Sequence, residues 1–60
     1  MNIIGMNFEK AAQLVSNCGY YPVCIKQNEK FDDRELDEGY HYIIIRYNPK
    51  NKVISTSEKC

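Results

Sequence analysis

The sequence predicts an α+β fold in which one helix packs on a small mixed sheet of three strands. Three observations predict it. An amphipathic helical pattern precedes three short strand-like segments, a tight turn separates the last two of them, and a long charged segment separates the first two. The chain of 60 residues is long enough for one domain, residues 1–60, and leaves no room for a second.

The helix is predicted over residues 7–17. Asn7 is a favourable N-cap because its side-chain oxygen can accept a hydrogen bond from an unpaired N–H of the first turn. Glu9 lies in that turn, where the helix dipole favours an acid, and Gly19 favours a left-handed stop. The apolar residues recur at helical spacing and predict one stripe that faces a core: Phe8, Ala11, Ala12, Val15 and Cys18, with Leu14 beside them.

Three strands are predicted after the helix, over residues 21–26, 40–47 and 52–56. Residues 48–51 (Asn-Pro-Lys-Asn) form the turn between the last two, because proline pre-sets the second turn position and asparagine favours the first. The strand residues that we expect to join the helix stripe in one core are Val23, Ile25, Ile43, Ile45 and Val53.

The charged segment, residues 27–39, indicates how the strands pair. This charged loop carries six acids and two bases, a net charge of −4, and the remaining residues carry +4. Parallel neighbours need a connection of about a dozen residues, whereas antiparallel neighbours are joined by about two to five. We therefore expect the first two strands to be parallel, with the charged loop running along the edge of the sheet.

Size and charge argue against several classes of function. A chain this short has little room for a substrate cavity of the usual several hundred cubic ångströms, and no Ser or Cys has a recognisable base near it in sequence, so we expect no enzyme activity. A net charge of zero provides no overall electrostatic attraction to nucleic acid or to a membrane surface. No secretory signal is visible at the N-terminus.

The cysteines predict neither a disulfide framework nor a metal site. Three of them, Cys18, Cys24 and Cys60, cannot form a closed set of pairs, and they show no C-x-x-C spacing beside the single histidine. We expect Cys18 and Cys24 to be small apolar core residues in a reducing compartment, with Cys60 exposed and available for an intermolecular disulfide. We expect no metal and no other cofactor.

The order of these segments is similar to that of a known family. Ile3-Ile4-Gly5 precedes Phe8-Glu9-Lys10-Ala11, with the glycine six residues before the helix alanine. The apolar strand, second strand, hairpin and last strand then follow at residues 23–25, 42–47, 48–51 and 53–54. In these features, over nearly the whole chain, the sequence resembles the potato inhibitor I family of serine protease inhibitors.

The resemblance implies that the charged loop binds a serine protease as an extended, substrate-like segment. Counting from the first strand places the scissile bond between Arg34 and Glu35, and counting back from the second strand places it between Glu35 and Leu36. Arg34 before that bond would suit a trypsin-like pocket, which carries a buried acid. The residues implied to flank the bond are Asp32, Asp33, Arg34, Glu35, Leu36 and Asp37.

Other interpretations of the charged loop stay open. The family's loop is held from beneath by arginines, and the matching stretch, residues 38–42, contains none. Gly39 adds backbone freedom in that stretch. The alternative is a non-inhibitory protein-interaction module with an acidic docking loop for a basic partner and a sheet edge that pairs with a second copy as a homodimer. A solvated loop without a binding role is the third interpretation.

Overall fold

The computed structural model describes residues 2–60 and confirms the α+β prediction, with one helix packed on a mixed three-stranded sheet. None of the helices in that range is long and apolar enough to cross a membrane. The elements in chain order are α1 (Phe8–Asn17), β1 (Tyr21–Lys26), a short 3-10 helix (Asp33–Glu35), β2 (Tyr42–Tyr47) and β3 (Val53–Lys59).

Both ends of α1 form as the sequence predicts. The Asn7 side-chain oxygen accepts hydrogen bonds from the backbone N–H groups of Glu9, at 2.9 Å, and Lys10, at 3.3 Å. The helix ends at Asn17, and Gly19 adopts a φ of +91°. That left-handed conformation is inexpensive only for glycine, and it turns the chain from the helix into β1.

The strand pairing is also confirmed. β1 pairs in parallel with β2, β2 pairs antiparallel with β3, and β2 lies in the centre of the sheet. β2 begins at Tyr42 instead of residue 40, and β3 continues to Lys59, three residues beyond its expected end. In the turn between them, the N–H of Asn51 donates to the carbonyl of Asn48 at 2.8 Å.

The core lies between α1 and one face of the sheet. Its buried members are Ile3, Ala11, Val15, Ile43, Ile45 and Val53, with Phe8 and Ala12 packed at its margin. Ile45 is completely buried. The rings of Phe8 and Tyr47 stack with centroids 3.8 Å apart and planes inclined by 7°, which joins the first turn of the helix to the end of β2.

Two predicted core residues lie on the opposite face of the sheet. The register places Val23 beside Ile44 and Ile25 beside Arg46, and residues paired in this way share a face. Because Ile43 and Ile45 face α1, Val23 and Ile25 face away from it, so the prediction of a single core was wrong for both. Alternation in a strand separates its two faces but does not tell which face meets the helix.

The prediction of core positions was wrong for Cys18 and Cys24, whereas the predicted exposure of Cys60 is confirmed. Cys18, Cys24 and Cys60 are all exposed free thiols. Cys18 follows the last helical residue, and Cys24 lies on β1, an edge strand of the sheet, where little protein covers it. Partial desolvation, and then the negative charge of Glu9, raise the pKa of the Cys24 thiol.

Candidate functional site: the charged loop

The charged loop covers the face of the sheet that α1 leaves open. Ile25 and Ile44 are only 2% and 9% exposed although both face away from the helix. Phe31 and the two aspartates that follow it line a groove of about 410 Å³ together with Ile44, Arg46 and residues 55–57 of β3. The loop therefore crosses above β2 and β3, and the expectation that it follows the sheet edge was wrong. The apolar residues on this face need a cover, and the loop supplies it.

Arg46 fixes the start of the loop from beneath. Its Nη1 atom donates to the carbonyl oxygens of Lys26, at 2.9 Å, Gln27, at 3.3 Å, and Glu29, at 2.7 Å. Gln27 is held a second time, because its N–H donates to the carbonyl of Tyr47 at 2.8 Å. The first residues of the loop thus have a defined backbone conformation.

The role of Arg46 was not predicted, because the family resemblance implies supporting arginines within residues 38–42. The arginine is the penultimate residue of β2 instead, on the same face as Ile44. One signal was available: a single charged residue inside an apolar strand requires nearby acceptors. The structure therefore contains an arginine that supports the loop, at the end of the loop opposite to the one expected.

The tip of the loop is a closed turn. The Asp32 carboxylate accepts from the backbone N–H of Arg34 at 3.0 Å, and the Arg34 guanidinium donates back to both carboxylate oxygens, with Nη2 at 2.9 Å from Oδ2. These hydrogen bonds lower the pKa of Asp32 and raise that of Arg34. The Arg34 side chain is 86% exposed, so this pair stands in solvent.

The closed turn replaces the extended backbone that the resemblance implies at residues 33–35. The N–H of Glu35 donates to the carbonyl of Asp32, and the N–H of Leu36 donates to that of Asp33, both at 3.1 Å. An aspartate that bonds the backbone two residues ahead favours such a turn. The chain becomes extended again only at Leu36, with φ −76° and ψ 147°.

The six predicted site residues have different environments. Asp32 and Arg34 are brought together, and Asp33 lines the groove above β3. Leu36 is half-buried, which ties the far side of the turn to the protein, whereas Glu35 and Asp37 are exposed. The loop thus presents one arginine paired with an aspartate beside several solvated acids.

Gly39 and an aromatic cluster form the loop exit. Gly39 has a φ of +88°, and a Cβ built there would meet no atom within 4 Å. Tyr40 then meets Tyr21 edge to face, with centroids 5.2 Å apart. Nε2 of His41 lies 2.9 Å from a carboxylate oxygen of Glu58. The exit is therefore attached to both outer strands, β1 and β3.

Within residues 2–60, no group of three or more His, Cys, Asp or Glu side chains is arranged to hold a metal ion. Comparisons with protein-family models, with curated proteins and with solved structures find no match.

Proposed function

We propose that this protein binds other proteins by presenting the charged loop, and that its target is a serine protease that the loop inhibits. The observation that carries the proposal is that Arg46 holds three backbone carbonyls at the loop start, those of Lys26, Gln27 and Glu29. A loop that is ordered before binding loses less conformational entropy when it binds, and this raises affinity.

Arg34 is the proposed specificity residue. Its side chain is 86% exposed at the loop tip, where a protease pocket can reach it. An ion pair in solvent contributes little to stability, so the guanidinium can exchange Asp32 for the buried acid of a trypsin-like pocket at small cost.

The turn at residues 33–35 limits the strength of inhibition. A substrate-like segment has to be extended, so the two hydrogen bonds that close the turn must open on binding. We therefore expect weak inhibition, accompanied by slow cleavage after Arg34 or after Glu35. Both bonds remain candidates for the scissile bond.

The second candidate function is a non-inhibitory interaction module that docks a basic protein surface. The closed turn favours it, because binding through exposed acids needs no change of backbone conformation. The loop carries a net charge of −4, and complementary charge accelerates and orients association.

A protease panel tests the first candidate. Trypsin-, chymotrypsin-, subtilisin- and glutamyl-specific proteases would be assayed with the wild-type chain, Arg34→Ala and Arg34→Lys. We expect inhibition of a trypsin-like protease that Arg34→Ala abolishes and the matched control Arg34→Lys retains, since lysine also suits an acidic pocket. Rapid cleavage of the charged loop by every protease, with no lag and no inhibition, would contradict the inhibitor proposal.

A cationic peptide tests the second candidate. Binding of a lysine-rich peptide would be measured by calorimetry at several salt concentrations. If the loop docks basic partners, neutralising Asp32, Asp33, Asp37 and Glu38 together weakens binding, and added salt weakens it steeply. Arg34→Ala then leaves binding unchanged or strengthens it, and Glu9→Gln, which removes an acid outside the loop, serves as the charge control.

A further inference from the structure

The outer edge of β3 presents free backbone groups over a short stretch only. Val53 is occupied there, because its N–H donates to the carbonyl of Met6 and its carbonyl accepts from the N–H of Gly5, both at 2.8 Å. Beyond Val53, no strand within residues 2–60 lies beside this edge, and residues 54–58 are all exposed. A partner at this edge therefore has to bind the end of β3 that follows Val53.

The register identifies the free backbone groups as those of Thr56 and Glu58. The carbonyls of His41 and Tyr47 accept hydrogen bonds from the β1 side, so odd-numbered residues of β2 direct their backbone groups to β1 and even-numbered residues direct theirs to β3. The β3 partners of those even-numbered residues are Ser55, Ser57 and Lys59. Thr56 and Glu58 alternate with these three residues, so their N–H and C=O groups point away from the sheet.

An acidic groove lies on the loop side of this edge. It is the groove of about 410 Å³ described above, and residues 55–57 line it from β3. Asp33 also lines it, and its carboxylate forms no ion pair within residues 2–60. The cation in its lining, Arg46, directs Nη1 to the carbonyls of the loop start. Because the charged loop has a net charge of −4, a basic side chain suits this groove.

A smaller groove, of about 250 Å³, lies on the helix side of the same edge. Residues 56–58 line it from β3, together with Ile3 and Ile43. Those two isoleucines belong to the core and give the groove an apolar floor. Thr56 and Glu58 face this side of the sheet, because they pair with Ile45 and Ile43. A small apolar side chain therefore suits this second groove.

We propose that β3 binds an extended segment of a partner protein, which joins the sheet as a fourth strand antiparallel to β3. Partner residues opposite Thr56 and Glu58 exchange backbone hydrogen bonds with them. The partner residue opposite Ser57 lies on the loop side and places a basic side chain beside Asp33. The partner residue opposite Thr56 places an apolar side chain in the helix-side groove. In strand addition of this kind, the backbone provides affinity and the alternate side chains provide specificity.

Charge and length both favour such a segment as the occupant. A second copy of this chain paired through β3 would bring two loops of net charge −4 to the same face, where they repel each other, whereas a basic segment is attracted. A short segment opposite residues 56–58 also ends before Val53, where Gly5 and Met6 already occupy the edge. The proposal requires neither protease inhibition nor docking through the loop alone.

NMR titration of the labelled protein with short peptides tests the backbone pairing. The probe is acetyl-Thr-Thr-Lys-Val-Thr-amide, in which lysine and valine are neighbours and point to opposite faces. We expect saturable binding, with the largest shift changes at the amides of Thr56 and Glu58. N-methylation of the valine removes the N–H that donates to the carbonyl of Thr56, and it should weaken binding about tenfold. Acetyl-Thr-Lys-Thr-Val-Thr-amide has the same composition but places both side chains on one face, and it should also bind more weakly.

Two protein variants test the groove. Asp33→Asn should weaken binding of the first peptide, whereas Glu29→Gln, which removes the same charge from an exposed position of the loop outside the groove, should not. Thermal melting verifies that both variants are folded. Equal weakening by the two would assign binding to the overall charge of the loop and overturn the proposal.

Three further results would overturn it. One is no shift change at Thr56 and Glu58 up to about 5 mM peptide. Another is equal binding of the N-methylated peptide, because docking through side-chain charge alone does not need that N–H. The third is a shift change at these two amides that follows protein concentration without peptide, which would identify a second copy as the occupant. No protease is present in these titrations, so their outcome is separate from that of the inhibition assay.

Discussion

Nη1 of Arg46 lies 2.7 Å from the carbonyl oxygen of Glu29, so the central strand holds a residue 17 positions earlier in the chain. The same nitrogen also reaches the carbonyls of Lys26 and Gln27. One side chain therefore satisfies three acceptors that the departing loop would otherwise leave without a partner from the sheet. The conformation of the loop start is set by a residue outside the loop.

Arg46→Ala should release the loop start. Its removal leaves the carbonyls of Gln27 and Glu29 to water and takes one of two donors from the carbonyl of Lys26. We expect the free energy of unfolding to fall by about 1–3 kcal/mol, as for hydrogen bonds from a charged donor. Denaturant unfolding measures that change, and hydrogen exchange at the Glu29 amide, which bonds the carbonyl of Lys26 at 3.0 Å, measures the loop itself. Unchanged exchange at Glu29 would contradict the anchoring role. Arg46→Lys keeps the charge with a different donor geometry. Its free energy of unfolding and its exchange at Glu29 should lie between those of the wild type and of Arg46→Ala.

Ile45→Ala should be the most damaging of the simple truncations in the sheet. Ile45 is completely buried between β2 and α1, so the change leaves a cavity and costs about 2–5 kcal/mol. A domain of this size has only several kcal/mol in total, so the variant should be partly or wholly unfolded at 25 °C. Ile54→Ala is the matched control, because Ile54 is 42% exposed and its truncation should change stability by less than about 0.5 kcal/mol. Equal melting temperatures for the two variants would refute the core assignment.

Gly39→Ala should destabilise the loop exit through its backbone alone. The φ of +88° disfavours any residue with a Cβ by about 1–2 kcal/mol, although a Cβ there would meet open space. Thermal melting should show the loss. Asn51→Gly should have the opposite effect on the melting temperature. Asn51 has a φ of +63°, and glycine adopts that conformation without steric cost. The prediction fails if alanine at position 39 leaves the melting temperature unchanged.

The turn at the loop tip should depend on pH in the acid range. Hydrogen bonds from Arg34 lower the pKa of Asp32 in the folded protein, so the stabilisation is present above the ordinary pKa of an aspartate and is lost as the pH falls through the lowered pKa. Both side chains are largely solvated, so we expect a local effect without global unfolding. NMR titration of the Asp32 carboxyl and the Arg34 amide measures it. Arg34→Gln should return the pKa of Asp32 toward its ordinary value, and identical titrations in both proteins would disprove the pairing.

Local chemistry explains why much of the fold could be predicted. The Asn7 cap, the helical stripe and Gly19 act within a few residues, and each is visible in the sequence. The length of the charged loop was enough to predict the parallel pairing of β1 with β2, because a tight turn cannot join parallel neighbours. The antiparallel hairpin followed from its turn residues.

The parts that could not be predicted depend on distant contacts. Val23 and Ile25 alternate correctly, but the pairing register with β2 decides which face they occupy. The support from Arg46 joins residues 17 to 20 positions apart, and no local pattern encodes it. The conformation of residues 33–35 depends on a side-chain bond from Asp32, which the family resemblance did not suggest. Sequence therefore located the candidate loop but not its shape.

The parallel pairing of β1 with β2 also orders the events of folding. The β2–β3 hairpin joins residues that are close in sequence, so its closure costs little chain entropy. β1 can meet β2 only after the whole charged loop has closed, and contacts of that kind form late and slowly. The carbonyls that Arg46 holds lie at that last junction. A partly folded chain should therefore contain the hairpin before it has any recognition surface, and a partner that binds the loop will select the completed fold.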